Sequence, residues 1–224
     1  MPVKIKWLGH AAFLLTFKGK RLLIDPWISD NPLCPIKLSD LEPIDFIIVT
    51  HDHYDHFGDS EEIAKRFKSM VIGIPELVGS LEERGIRGLS LNMGSLVDVD
   101  GAFKVALVPA THTCSAGQPV GAILDFDGLR IYHMGDTGYT AEFQAIKDAF
   151  NPEVVLIPIG GHYTMGPREA ALALRVLRPK IAIPMHYATF PVLVKDTGDF
   201  VKEASVIAPD VKIVVLKPGE ELEI

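Results

Sequence analysis

Nine residues constrain this chain more than any others: Thr50-His51-Asp52-His53-Tyr54-Asp55-His56-Phe57-Gly58, set directly after the apolar run Phe46-Ile47-Ile48-Val49. Three histidines and two aspartates fall within six consecutive positions. Imidazole and carboxylate together are the ligand set for zinc, manganese, iron or nickel. His51 and His53 lie two apart, so in an extended segment both side chains project from one face. Asp55 and His56 come after a turn and reach a second position. The first reading is therefore two metal positions, one gripped by His51 and His53 and one by Asp55 and His56. The bland alternative is a solvated polar loop, which does not explain why the cluster is delivered by a buried-type strand.

Any fold that serves this cluster must be sizeable, and the chain allows it. Its 224 residues and 48% hydrophobic content suit one substantial core, and the expectation is a single domain over residues 1–224. Charge is 22 basic against 29 acidic residues, a net of −7, which argues against a general nucleic-acid or anionic-membrane binder. Only Cys34 and Cys114 occur, so no disulfide framework is expected and a reducing cytoplasm is the default. No apolar stretch approaches the ~20 residues needed to span a bilayer, and Gly9-His10 interrupts any signal-peptide pattern, so membrane insertion is not expected.

Along the chain, apolar runs at 3–8, 11–17 and 21–25 predict an antiparallel meander. Prolines 26, 32 and 35 make 26–43 a long loop, of the kind that often carries function. Residues 45–49 form a strand buried on both faces. Helices are expected at 59–68, capped by Asp59 or Ser60, at 75–84, 139–150, 166–177 and 199–207. Asp100-Gly101 and Asp127-Gly128 sit between apolar runs and predict two hairpins. Strands are expected at 71–74, 154–158, 181–184 and 212–216. Two sheets face to face with helices outside would bury such strands.

The pattern of a strand followed by a ligand repeats. Strands ending near 108, 134, 159 and 185 are followed by His112, Asp136, His162 and His186. Strands of one sheet end near one another, so these groups can converge. Converged, His51, His53 and His112 supply three nitrogens to one metal. Asp55, His56 and His186 supply the other, and Asp136 can bridge both. Three ligands and a bridge leave room for water, the mark of a catalytic site. Of the remaining residues, His10 and Asp25 each end a strand; Asp25 can accept a hydrogen bond from a ligand imidazole, and His10 can serve the pocket or stand behind a ligand. His162 can face the pocket, and Tyr187 can polarise substrate. His133 reads as a hydrogen-bonded core residue and Cys114 as a buried or pocket-wall thiol. Gly160-Gly161 is no phosphate loop, because no helix with Lys-Ser/Thr follows.

Thr50-His51-x-His53-x-Asp55-His56, with His112, Gly135-Asp136-Thr137 and His186, resembles the metallo-β-lactamase superfamily. Trp7-Leu8-Gly9-His10, Ile24-Asp25-Pro26, Tyr132-His133-Met134-Gly135-Asp136-Thr137, Pro158-Ile159-Gly160-Gly161, Thr164-Met165-Gly166-Pro167 and Pro184-Met185-His186-Tyr187 are similar to one branch of it. That branch holds the small metal-dependent hydrolases related to ascorbate-6-phosphate lactonase and to the phospholipase D acting on N-acyl-phosphatidylethanolamines. The resemblance runs from residue 4 to about 219. It implies an α/β fold, a four-layer αββα sandwich of two mixed sheets with helices outside. It also implies hydrolysis but supplies no substrate; a small-molecule substrate is expected, with a homo-oligomer as the habit of the family.

The expected reaction is attack by a metal-bound hydroxide on a small ester, lactone or phosphodiester, with Asp55 taking or returning a proton. Two divalent ions are expected, Zn2+ first, with Mn2+, Ni2+ or Fe as alternatives. A rival reading is an RNA- or DNA-processing metallonuclease of the same superfamily; the acidic balance and the lack of an added substrate-binding domain count against it. Another is a non-hydrolytic metal-binding or di-iron redox protein. The resemblance weighs against it, because those relatives place a carboxylate where this chain has His53.

Overall fold

The structure, a computed structural model, describes residues 2–224. The chain forms two compact units, each built on a seven-stranded mixed sheet. The first holds the described residues up to Gly94, with Thr113–Gln118 and Leu216–Ile224. The second holds Ser95–His112 and Pro119–Val215.

In the first unit, β1 (Lys4–Trp7), β2 (Phe13–Phe17) and β3 (Lys20–Ile24) form the expected antiparallel meander. β4 (Phe46–Ile48) lies parallel to β3 and is buried at every position, as an apolar run without alternation requires. A one-turn helix, α1 (Tyr54–Phe57), carries Asp55 and His56. α2 (Ser60–Phe67) buries Ile63 and Ala64. β5 (Met70–Gly73) continues the parallel run; α3 (Pro75–Glu82) opens on Pro75, whose missing N–H costs nothing in the first turn. β6 (Gly88–Ser90) ends this side of the sheet.

In the second unit, β7 (Val97–Val99) pairs with β8 (Phe103–Pro109), and β9 (Val120–Phe126) with β10 (Leu129–His133). Asp100, Gly101, Asp127 and Gly128 all have positive φ (51°, 69°, 54° and 98°), so both Asp-Gly pairs make the turn whose twist matches a hairpin. α4 (Glu142–Phe150), β11 (Val154–Pro158), α5 (Pro167–Leu177), β12 (Ile181–Met185), α6 (Gly198–Ile207) and β13 (Lys212–Ile213) follow. The chain then returns to the first sheet, where β14 (Glu221–Glu223) pairs antiparallel with β1.

Strand direction positions the site. β1, β3 and β4 run the same way, so His10, Asp25 and Thr50-His51 all follow strand ends on one edge of the first sheet. β8, β10, β11 and β12 also run together, which puts His112, Asp136, His162 and His186 after strand ends on one edge of the second. The α/β expectation is met, with two mixed sheets and helices.

Several local expectations needed revision. α4 begins at Glu142 rather than 139, with Ala141 at its N-cap and no side-chain cap; the Thr140 hydroxyl accepts the Glu142 N–H (3.3 Å) just ahead of it. Ala149, which helical spacing puts on one side with Phe143, Ile146 and Phe150, is exposed while Phe143 and Ile146 are buried. The strand expected at 212–216 shrinks to two residues. β6 and β14 were not expected, being short and largely solvent-facing, which hides the alternation that marks a strand. Neither Asp59 nor Ser60 caps α2 with its side chain. Both cysteines are free thiols, and among the described residues no helix is long and apolar enough to cross a membrane.

Tyr132 is fully buried in β10, and its hydroxyl has no hydrogen-bond partner among the described residues. Burial pushes its phenol well above the ordinary tyrosine value. The folded phenol thus stays neutral while the unfolded one ionises near pH 10, so stability is lost as pH rises above about 10. Tyr132→Phe removes a desolvated hydroxyl and should leave neutral-pH stability unchanged or raise it by about 1 kcal/mol. Its stability should also fall less steeply than wild type above pH 10. Denaturant unfolding at pH 7 and pH 10.5 checks both.

Candidate metal centre

The first unit's half of the site is built around Asp25. It follows β3 with φ of 45° and is completely buried. The parallel pairing of β3 with β4 sets it beside Thr50. Its Oδ1 accepts the Thr50 N–H (2.8 Å), and its Oδ2 accepts the Thr50 hydroxyl (2.7 Å). Oδ2 also lies 2.7 Å from His56 Nδ1. A carboxylate is acceptor only, so His56 carries its proton on Nδ1 and presents Nε2 as a lone pair. The same logic reaches His51. The Thr50 hydroxyl donates its hydrogen to Asp25, so at 3.0 Å its oxygen accepts from His51 Nδ1. His51 Nε2 is then a lone pair too. One buried carboxylate thereby sets the tautomer of two histidines, as partners standing behind metal ligands do.

These lone pairs converge. His51 Nε2 stands 3.0 Å from His53 Nδ1, close to the ~3.3 Å between neighbouring ligands around a tetrahedral zinc with Zn–N near 2.0–2.1 Å. His10, Asp55 and His56 each offer a ligand atom, all within 4.8 Å of one another. His10 is fully buried with φ of 53°, and its Nε2 lies 3.1 Å from Asp55 Oδ2. The Trp7 indole N–H donates to the His10 carbonyl (3.0 Å) and holds that turn. Histidines and carboxylates are thus gathered as a cluster able to bind metal, and the donor set fits a divalent ion.

The second unit supplies its own group. Asp136 Oδ2 lies 3.0 Å from His186 Nε2 and 3.5 Å from His112 Nε2, so one carboxylate oxygen faces both histidines. Thr137, directly after it, locks the neighbouring segments: its hydroxyl accepts the Thr111 N–H (3.0 Å) and its carbonyl accepts the Met165 N–H (2.9 Å). His186 adopts φ of 59°. A Cβ on Gly160 would come within 2.0 Å of the His186 carbonyl oxygen, so only glycine lets the two backbones pass. Tyr187 is buried, and desolvation and then the Asp196 carboxylate push its phenol up to about 12, so it stays protonated at neutral pH. His162 is exposed at φ of 56°, its ring edge-on to Tyr163 at 4.5 Å. His133 is buried and accepts the Gly135 N–H (3.2 Å), the core role expected of it. Cys114 is half-buried, its thiol donating to the Ala116 carbonyl; desolvation and then the Asp52 carboxylate raise its pKa.

Sequence reasoning anticipated Asp25 as an acceptor for a ligand imidazole but missed Thr50 as the relay to His51. The signal was available, since a hydroxyl directly before a histidine at a strand end can reach that ring. It also missed Asp52, whose carboxylate accepts the Ser115 N–H (2.8 Å), and Trp27, which packs edge-on against His10 at 5.1 Å.

Known proteins resemble this chain in sequence and in fold. Residues 4–186 match the family model described as the beta-lactamase superfamily domain. A protein of Caldivirga maquilingensis described as a UPF0173 metal-dependent hydrolase is 43% identical, with 98% of this chain and 97% of that one aligned. A solved structure, Igni18, a metallo hydrolase from Ignicoccus hospitalis, is 39% identical at a TM-score of 0.95, covering 100% of this chain and 99% of that one. YhfI from Bacillus subtilis, a metallo-beta-lactamase fold protein, is only 14% identical yet superposes over 100% of both chains at a TM-score of 0.80, a likeness of fold alone.

Asp25→Ala should strand the Thr50 N–H and the His56 Nδ1–H in a buried site, costing about 2–4 kcal/mol. Divalent metal affinity should fall about 10–100-fold, because both tautomers are released. Thermal unfolding and a zinc titration of the variant measure the two effects separately.

Proposed function

We propose a specific reaction for this chain, which belongs to the beta-lactamase superfamily domain family and, within it, to the UPF0173 metal-dependent hydrolases: hydrolysis of a small ester, lactone or phosphodiester at a centre of two divalent ions. In this reading residues 1–224 work as one hydrolase domain. His51, His53 and His112 would hold one ion, Asp55, His56 and His186 the other, and Asp136 would be a ligand to either. Zinc suits the imidazole-rich set, with manganese, nickel and iron as alternatives. Support for joining the sets comes from the chemistry of the donors. The chemistry that a divalent ion would supply there is a lowering of the pKa of water from about 15.7 to about 7 and polarisation of the scissile group.

The chain's own residues do the rest. Asp25 and Thr50 keep the Nε2 atoms of His51 and His56 available as lone pairs. His10 Nε2 orients Asp55, whose Oδ2 takes or returns the proton of the reaction. Tyr187, neutral at physiological pH, can donate a hydrogen bond to substrate but cannot act as a base. His162, exposed at its turn, serves as a substrate contact. A reducing cytoplasm suits the two free thiols. The observation that carries this reading is the Asp25 network, since setting two imidazole tautomers serves a metal and has no packing purpose.

Chelation should abolish turnover, and added zinc or manganese should restore it. His51→Ala and Asp136→Ala should each lose at least about a hundredfold. The measurement is hydrolysis of bis(p-nitrophenyl) phosphate, p-nitrophenyl acetate and a γ-lactone by whole protein. Undiminished activity in metal-stripped protein overturns the reading.

A further inference from the structure

Asp59 stands where an aspartate ordinarily caps a helix, yet its side chain makes no cap bond to α2. Its carboxylate is turned to the loop after β3 instead. Oδ2 accepts the N–H groups of Ile28 (2.8 Å) and Ser29 (2.9 Å), and Oδ1 accepts the Ser29 hydroxyl (2.6 Å). The Asp59 N–H donates to the Pro26 carbonyl (2.9 Å). Gly58 closes the same seam. Its φ is 45°, and a Cβ there would lie 2.5 Å from the Pro26 carbonyl oxygen and 2.6 Å from Trp27 Cα. Residues 58 and 59 thus grip residues 26–29 through hydrogen bonds and a backbone contact that only glycine allows.

What the grip holds is Trp27. It is 5% exposed. Its indole stands edge-on to the His10 imidazole (5.1 Å, 86°) and to Tyr54 (5.9 Å, 85°). His10 in turn meets Asp55 Oδ2 at 3.1 Å. The path therefore runs from Asp59 to Ile28 and Ser29, along the backbone to Trp27, and by contact to His10 and Asp55. A loop staple kept only for stability would not need to give up a helix cap, nor to end on an imidazole that touches the reacting carboxylate.

We infer that Asp59 is a positioning residue: by fixing Trp27 against His10 it sets the Asp55 carboxylate for the reaction. The inference rests on the reading that Asp55 serves that reaction. Its test uses full-length protein labelled with 5-fluorotryptophan. The chain has two tryptophans, so two fluorine resonances are expected, assigned with Trp7→Phe. Asp59→Asn should shift or broaden the Trp27 resonance and leave that of Trp7 in place. On bis(p-nitrophenyl) phosphate its kcat should fall about tenfold with KM changed less than about twofold. Ser29→Ala, which removes one hydroxyl and keeps both backbone donors, should show smaller changes in the same direction, and it serves if Asp59→Asn does not fold. An unmoved Trp27 resonance, a moved one with kcat intact, or a rise in KM alone overturns the inference. If wild-type protein turns over none of the probes, the reading of the reaction has failed. The latch is then judged by the Trp27 resonance together with the visible spectrum of protein loaded with cobalt(II) alone. A cobalt spectrum altered in Asp59→Asn supports it, and an identical one overturns it.

Discussion

The buried carboxylate of Asp25 is the interaction on which the rest of the first unit's site depends. Taking such a charge out of water costs several kcal/mol, and its left-handed backbone costs about 1–3 more. Three short, charge-assisted contacts offset this, two from Thr50 and one from His56. They exist only because β3 and β4 pair in parallel with Ile24 beside Ile48, so that the residues after both strands meet. A slip in that register would turn Asp25 or Thr50 to the other face. Sheet pairing, tautomer choice and ligand readiness are therefore one cooperative arrangement, formed together or not at all.

Much of this was legible from residues alone. The ligand candidates could be read because each follows an apolar run, and co-directional strands do bring His10, Asp25 and His51 to one edge. The same holds for His112, Asp136 and His186. The Asp-Gly hairpins were legible because few residues tolerate left-handed backbone at both turn positions. What stayed hidden was where polar side chains turn. Asp59 looked like a cap by position, yet its carboxylate found better-placed donors across the loop at Ile28 and Ser29. Such a choice depends on which segment lies opposite, and sequence spacing carries no information on that. β14 was hidden for another reason: it is an exposed edge strand whose partner, β1, lies more than two hundred residues earlier.

The long loop after β3 also reads differently once α2 is in place. That helix holds the loop at both ends. Asp59 grips residues 28–29, and Arg66 donates to the carbonyls of Leu38 (2.8 Å) and Ser39 (3.3 Å). The proline-rich stretch is thus tethered rather than loose. Its middle is tied to Trp27 as well: Asn31 accepts the Leu33 N–H while donating to the Trp27 carbonyl.

The composition of the first unit has a consequence for how the chain is made. Its sheet and its loops come from three separate stretches, the last beginning at Leu216. As the chain leaves the ribosome, the meander and the His51–His56 segment appear early. β1, however, keeps an open edge until Glu221–Glu223 emerge. Throughout that interval the second unit is synthesised as an insertion into an unfinished first one. Such non-local closure is slow and leaves strand edges exposed. The charged residues on β1, Lys4 and Lys6, which pair with Glu221 and Glu223 in the finished sheet, guard that edge meanwhile against pairing with the wrong strand.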